Sequence, residues 1–137
     1  MKTVQLVKYK NKNWEYVVEK QDLIEPLVLV FGNRFMLEEK TVYQELRQIF
    51  PDGHIVFASS CAEISSNTVN QNSITVTAIE FEKTAFQIET SNLLTSDVDS
   101  FKTGEAVVRV LKSVSATLKH AVANFDTRLF ILKYPLP

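Results

Sequence analysis

With 137 residues, 45% of them apolar and 23% charged, the chain has the size and balance of one globular domain, not of a disordered segment. A domain of this size buries about two-thirds of its unfolded surface. The net charge of -1 supplies no field to draw nucleic acid or an anionic membrane, and no apolar run approaches the roughly 18 residues of a membrane span. The start, Met1 to Lys8, has no long apolar stretch and no small-residue cleavage site, so a soluble, cytoplasmic protein is expected. The single cysteine, Cys61, excludes an internal disulfide and a Cys-based zinc site. The three glycines, Gly32, Gly53 and Gly104, lie too far apart to build a phosphate-cradling loop.

In chain order, Thr3–Tyr9 alternates loosely and predicts a strand, and Trp14–Val18 is a weaker extended segment that the pattern leaves undecided. Pro26–Phe31 is a continuous apolar run of strand formers, the mark of a strand covered on both faces. Gly32 and Asn33 turn the chain into a helix expected from Arg34 to Phe50, with Asn33 as N-cap and Pro51-Asp52-Gly53 as its stop. Phe35, Glu39, Val42, Leu46 and Ile49 form its inward stripe, with Glu39 the polar exception and Tyr43 and Phe50 beside it. His54–Ala58 predicts a second buried strand, which makes a βαβ unit with a right-handed crossover and parallel neighbouring strands.

Ser59–Asn72 is a run of small and amide-bearing residues with one charge, Glu63. A connection of this length is usually functional or disordered. Ser73–Phe81 alternates, with Ile74, Val76 and Ala78 on one face, and Thr84–Glu89 alternates again; the two predict an antiparallel hairpin turning near Glu82-Lys83. Thr90–Lys102 reads as a loop. A second long helix is expected from a Thr103 cap to about Asn124, with Val107, Leu111, Val114, Leu118, Ala121, Val122 and Phe125 inward. Leu129–Leu132 is a last strand, apolar on both faces, and its incomplete cover predicts self-association. The fold class is therefore α/β: a mixed β-sheet containing a parallel βαβ unit and an antiparallel hairpin, with two main helices, in a single domain 1–137.

Few constellations carry chemistry. Cys61 as a nucleophile needs a base, but His54 sits at the far end of its strand, about 15 Å away at strand rise, and His120 falls on the solvent side of the second helix. An inert packing cysteine is the expectation. His54 and His120 have no His, Cys or carboxylate at ligand spacing, so a turn histidine and a solvated helix histidine are expected, with no metal and no cofactor. Phe35, Tyr43, Phe50 and Phe125 lie at helical spacing and read as core, and no aromatic residues interleave with a basic strip. One segment stands apart. Ala58–Ile64 leaves the carboxyl end of a buried strand of a βαβ unit, the edge at which open α/β sheets bind ligands. There Ser59 and Ser60 supply hydroxyls and Glu63 a carboxylate; the alternative is a polar turn leading into a hairpin.

The runs Pro26 to Phe31, Leu46-Arg-Gln-Ile-Phe-Pro51, His54-Ile-Val-Phe-Ala-Ser-Ser-Cys-Ala-Glu-Ile64 and Ser73 to Phe81 together resemble the FIST N domain, the domain of F-box and intracellular signal transduction proteins. Its pattern is an apolar strand, a helix ending in Phe-Pro, and a strand running into Gly-x-Ser-Thr-Ala-Gly-Glu-Ile. Ser59, Glu63 and Ile64 fit as they stand, and Ser60 replaces the threonine. Phe57 and Ala62 occupy the two glycine positions, and Cys61 the alanine. The resemblance, over about residues 24 to 132, implies a non-enzymatic sensory module for a small polar ligand, with amino acids as the ligand class. It implies a ligand site at Ser59, Ser60, Cys61 and Glu63, and a signalling output domain or partner outside this chain. It also implies that the chain is the truncated N-terminal portion of such a domain, without a FIST C domain. A haem-linked nitric oxide sensor using His54 or His120, a protein-interaction domain without a ligand, and a Cys61-dependent enzyme are the alternatives. For Glu63 two roles stand open: a charge-assisted contact to a ligand ammonium, or a cap of its own turn.

Overall fold

A computed structural model describes residues 1–65, 68–90, 100–114, 118–124 and 128–133. The chain forms two compact units, Met1–Glu82 and Lys83–Pro137.

The first unit is built on a five-stranded sheet. Its strands are β1 (Lys2–Tyr9), β2 (Glu15–Tyr16), β3 (Leu27–Gly32), β4 (His54–Ser59) and β7 (Ser73–Glu80), in the order β2-β1-β7-β3-β4. The expected βαβ unit is present: β3 and β4 are parallel neighbours, with Leu27 opposite His54 and Gly32 opposite Ser59. The other pairings are antiparallel, with β7 between β1 and β3. Trp14–Val18, undecided from sequence, contributes the short edge strand β2.

The crossover is two helices, α1 (Arg34–Leu37) and α2 (Lys40–Ile49), not the one helix expected from Arg34 to Phe50. The break falls at Glu38-Glu39, where Glu39 is extended (φ -69°, ψ 117°). An unbroken helix would carry the Glu39 carboxylate into the apolar stripe, a burial that needs a compensating partner. The break leaves Glu39 exposed and changes which α1 residue meets the core. Met36 is buried, whereas Phe35, expected in the core, is 77% exposed and Tyr43 is 48% exposed. Asn33 is the N-cap as expected, its Oδ1 accepting from the Phe35 N–H at 3.0 Å. Beyond α2, Arg47 donates to the carbonyls of Pro51 and Gly53 at 2.9 and 2.8 Å and fixes the turn into β4.

One face of the sheet carries the core. Val4, Leu6, Val28, Val30, Ile55, Ile74, Val76 and Ala78 pack with Met36, Val42, Leu46 and Phe50 of the crossover. Fully burying a side chain such as Leu46 stabilises by about 1.5–3 kcal/mol.

The connection from β4 to β7 contains a small hairpin, β5 (Glu63–Ser65) and β6 (Thr68–Asn70), with Ile64 opposite Val69. The hairpin expected between Ser73–Phe81 and Thr84–Glu89 does not form. Both segments are strands, but β7 takes β1 and β3 as partners, and β8 (Ala85–Thr90) belongs to the second unit. A long strand apolar on one face and half-buried on the other gains more in the centre of a sheet than in an isolated hairpin, which is marginal in water.

The second unit has β8, α3 (Ser100–Val114), β9 (Leu118–Asn124) and β10 (Arg128–Lys133). Its sheet order is β8-β10-β9, with both pairings antiparallel. The long helix expected from Thr103 to Asn124 is corrected at both ends. It starts at Ser100, so Thr103 lies inside it and is buried, and Leu118–Asn124 is a strand. Leu118, His120 and Val122 alternate with Lys119, Ala121 and Ala123, a period of two that coincides with the helical stripe at Leu118 and Val122. Pairing with β10 decides the matter. His120, expected on a helix, therefore lies in β9; the side chains of His120 and of Leu129–Leu132, and the whole of Phe125, lie outside what is described. Leu111 is buried, Val107 half-buried, and Glu105 pairs with Arg109 one turn on at 2.7 Å. No helix among the described residues is long and apolar enough to cross a membrane.

Candidate functional site at the carboxyl end of the parallel strands

The site begins where β3 and β4 end side by side. Beyond the last paired residues, the Ser60 N–H donates to the Gly32 carbonyl at 3.0 Å, and the Asn33 N–H donates to the Ser73 carbonyl at 3.1 Å. These bonds carry the ladder one step past the strands and splay the chain at Asn33 and Ser60. Gly32 is required here by close approach: a Cβ on it would stand 2.9 Å from Ile74 Cγ1 and 2.9 Å from the Ser73 carbonyl oxygen. Asn33 also donates from Nδ2 to Asn72 Oδ1 at 3.1 Å, and Asn72 takes the left-handed backbone (φ 56°) that turns β6 into β7.

Glu63 is the centre of this end of the sheet. It is 3% exposed, and both carboxylate oxygens are engaged by the chain's own hydroxyls. Ser60 Oγ donates to Oε1 at 2.8 Å, and Ser73 Oγ, fully buried, donates to Oε2 at 2.5 Å. A buried carboxylate requires such partners, and hydrogen bonds to a charged acceptor are about twice as strong as neutral ones. The two bonds clamp the Ser59–Ala62 loop and the start of the β5–β6 hairpin onto β7. Both bonds come from serine hydroxyls, one of them on β7, and not from the backbone N–H groups of the turn itself.

Around this clamp Ser59 and Cys61 are exposed, and Ser60 and Ala62 half-buried. The structure thus brings Ser59, Ser60, Cys61 and Glu63 into one loop, with Glu63 facing inward and Ser59 and Cys61 outward. His54 begins β4 at the other end, about 16 Å from Ser59 at strand rise. Phe57, at the first glycine position of the family pattern, packs against the core and places its ring 6.3 Å from that of Tyr43. The helix-covered face of β4 is therefore filled by an aromatic side chain below the loop. Among the described residues no group of three or more His, Cys, Asp or Glu is placed to hold a metal.

Sequence reasoning missed Ser73. It is ten residues from Glu63, and the only local sign is a serine at the head of an otherwise apolar, alternating strand. Gly32 was visible only as a turn residue, and Asn72 only as the last of the small and amide-bearing run.

A mixed α/β fold with a parallel crossover and a clamped loop at its carboxyl edge is a scaffold on which ligand sites are commonly carried. The protein-family model described as the FIST N domain matches residues 26–133, most of the chain, and the chain belongs to that family, a domain of signal transduction. No curated protein and no solved structure matches it.

Proposed function

We propose that this chain is a cytoplasmic sensory module that binds a small polar ligand, of the amino-acid class, at the Ser59–Glu63 loop and passes the signal to an output domain or partner. The observation that carries the reading is the Glu63 clamp: a buried carboxylate holds a loop of small residues in one conformation at the carboxyl edge of the parallel strands. A loop so ordered before binding loses less entropy on binding than a mobile one. Family membership supports the signalling part. The hydroxyls of Ser59 and Ser60 and the exposed Cys61 contact the ligand, and Glu63 holds them in place from beneath. The module binds its ligand without turnover.

A thermal-shift screen of the chain against amino acids and other small metabolites tests this. A ligand at a hundred times its dissociation constant stabilises the folded state by about 2.7 kcal/mol. A Ser59→Ala/Ser60→Ala variant should lose that shift. A compound that stabilises parent and variant equally would place the ligand elsewhere.

A further inference from the structure

Glu63 is the only charged residue between Ser59 and Asn72, and it is buried. A buried carboxylate ordinarily has a cation beside it. Among the described residues no cation pairs with Glu63: the ion pairs take Glu38, Glu45, Glu80, Glu82 and Glu105. The hydroxyls of Ser60 and Ser73 stand in the cation's place, at 2.8 and 2.5 Å. They supply hydrogen bonds and no positive charge, so the negative charge at this end of the sheet is solvated by the chain but not neutralised.

The same bonds fix the polarity of the loop. A serine hydroxyl has one proton and two lone pairs. Ser60 gives that proton inward to Glu63 Oε1, and its backbone N–H goes to the Gly32 carbonyl at 3.0 Å. Nothing on Ser60 is left to donate, so its Oγ meets a ligand only as an acceptor. A hydroxyl that donates to an anion is also the stronger acceptor for it. Ser73 is fully buried and Ser60 half-buried, which makes Ser60 the hydroxyl of the two that a ligand can reach. Two hydrogen bonds in series would hold a donor nitrogen on Ser60 Oγ about 5 Å from the carboxylate. Attraction across that distance is within the reach of salt screening in water and stronger beside a buried charge.

We propose that Ser60 determines the specificity of the loop: its Oγ accepts a hydrogen bond from a primary ammonium group of the ligand, and Glu63 behind it supplies the counter-charge. The inference rests on the reading that the ligand sits at the Ser59–Glu63 loop, and adds which of the ligand's groups faces Ser60. A carbonyl or carboxylate brings no proton to this position, and Glu63 repels a carboxylate there as a like charge.

The experiment titrates the whole chain with L-alaninamide, L-lactamide and tetramethylammonium at neutral pH and constant ionic strength, following the backbone amide NMR signals of 59–63. Alaninamide carries the ammonium, lactamide has nearly the same shape with a neutral hydroxyl in its place, and tetramethylammonium carries the charge without an N–H. Saturable shifts with alaninamide are expected, and an affinity about tenfold or more weaker for the other two. Ser60→Thr keeps the hydroxyl and should keep the preference for alaninamide. Ser60→Val, of the same shape without an acceptor, should lower the alaninamide affinity about tenfold or more. Glu63→Gln should weaken alaninamide about tenfold and leave lactamide unchanged. Ser60 is half-buried, so the Thr and Val pair decides the matter should Glu63→Gln unfold. Lactamide or tetramethylammonium binding at 59–63 as tightly as alaninamide, or a preference for alaninamide that survives in Ser60→Val, would overturn the inference and leave the loop as the site. No saturable shift at 59–63 with any of the three would overturn the inference and the loop reading together.

Discussion

Removing the Glu63 carboxylate should loosen the first unit by an amount that the geometry sets. Glu63→Ala deletes the acceptor of two charge-assisted hydrogen bonds, from Ser60 at 2.8 Å and Ser73 at 2.5 Å. Each such bond is worth about 1.5–3 kcal/mol, and a fully buried hydroxyl left without an acceptor costs about 1–3 kcal/mol. The terms overlap, and Ser60 is half-buried and recovers water, so the net loss should be about 2–4 kcal/mol. Glu63→Gln keeps the shape and one acceptor oxygen, and should lose about 1–2 kcal/mol. Trp14 is the single tryptophan and borders the core of the first unit, so its fluorescence in urea reports that unit's unfolding. A cycle with Ser73→Ala should show a coupling of roughly 1–2 kcal/mol between the two residues. A Glu63→Ala protein with the parent's urea midpoint, or additive Glu63 and Ser73 substitutions, would refute the clamp.

Three further outcomes follow from other parts of the first unit. Gly32→Ala should destabilise by about 1–3 kcal/mol, because the new methyl meets the Ser73 carbonyl, which is backbone and cannot swing aside; the same tryptophan transition measures it. Leu46→Ala, at a fully buried position, should cost about 2–5 kcal/mol, whereas Phe35→Ala, at a position 77% exposed, should change stability by less than about 0.5 kcal/mol; equal losses would mean an unbroken Arg34–Phe50 helix. At Glu45, burial pushes the carboxyl up, but the hydrogen bonds from Lys8 and Trp14 and the Lys8 charge outweigh it and hold it below its ordinary value. A depressed carboxylate adds stability above its unfolded value, near about 4.3, and that part is lost as the pH falls through the folded value. Glu45→Gln should therefore show a shallower loss of stability than the parent on acidification below about pH 4.3, seen in urea midpoints measured against pH.

The two parallel strands were legible because Pro26–Phe31 and His54–Ala58 are continuous apolar runs bounded by turn residues, a signal that survives any choice of partner. The crossover was legible as helix but not as two helices. Periodicity counted Phe35, Val42 and Leu46 as one stripe, and the cost of carrying Glu39 inside it appears only when the face is packed. The Leu118–Asn124 strand was hidden because Leu118 and Val122 satisfy both a period of two and a helical period, and only the β10 partner separates them. The Ser73–Phe81 strand was found and mispaired. Its neighbours, β1 and β3, are more than 40 residues away in sequence, whereas the turn near Glu82-Lys83 is adjacent. The candidate loop was located from its position after β4 and from the family pattern. The inward turn of Glu63 was not, since its Ser73 partner arrives only after the β5–β6 hairpin folds back.

The most direct measurement is ligand binding mapped by residue: backbone amide NMR of the chain, titrated with the amino acids and small metabolites that raise its unfolding temperature. A sensory site at the carboxyl end of the parallel strands predicts saturable shifts at 59–63 and at Gly32 and Ser73, abolished in Ser59→Ala/Ser60→Ala while Glu63→Gln retains weaker binding. Shifts confined to other segments, or no compound that stabilises the fold, would contradict it.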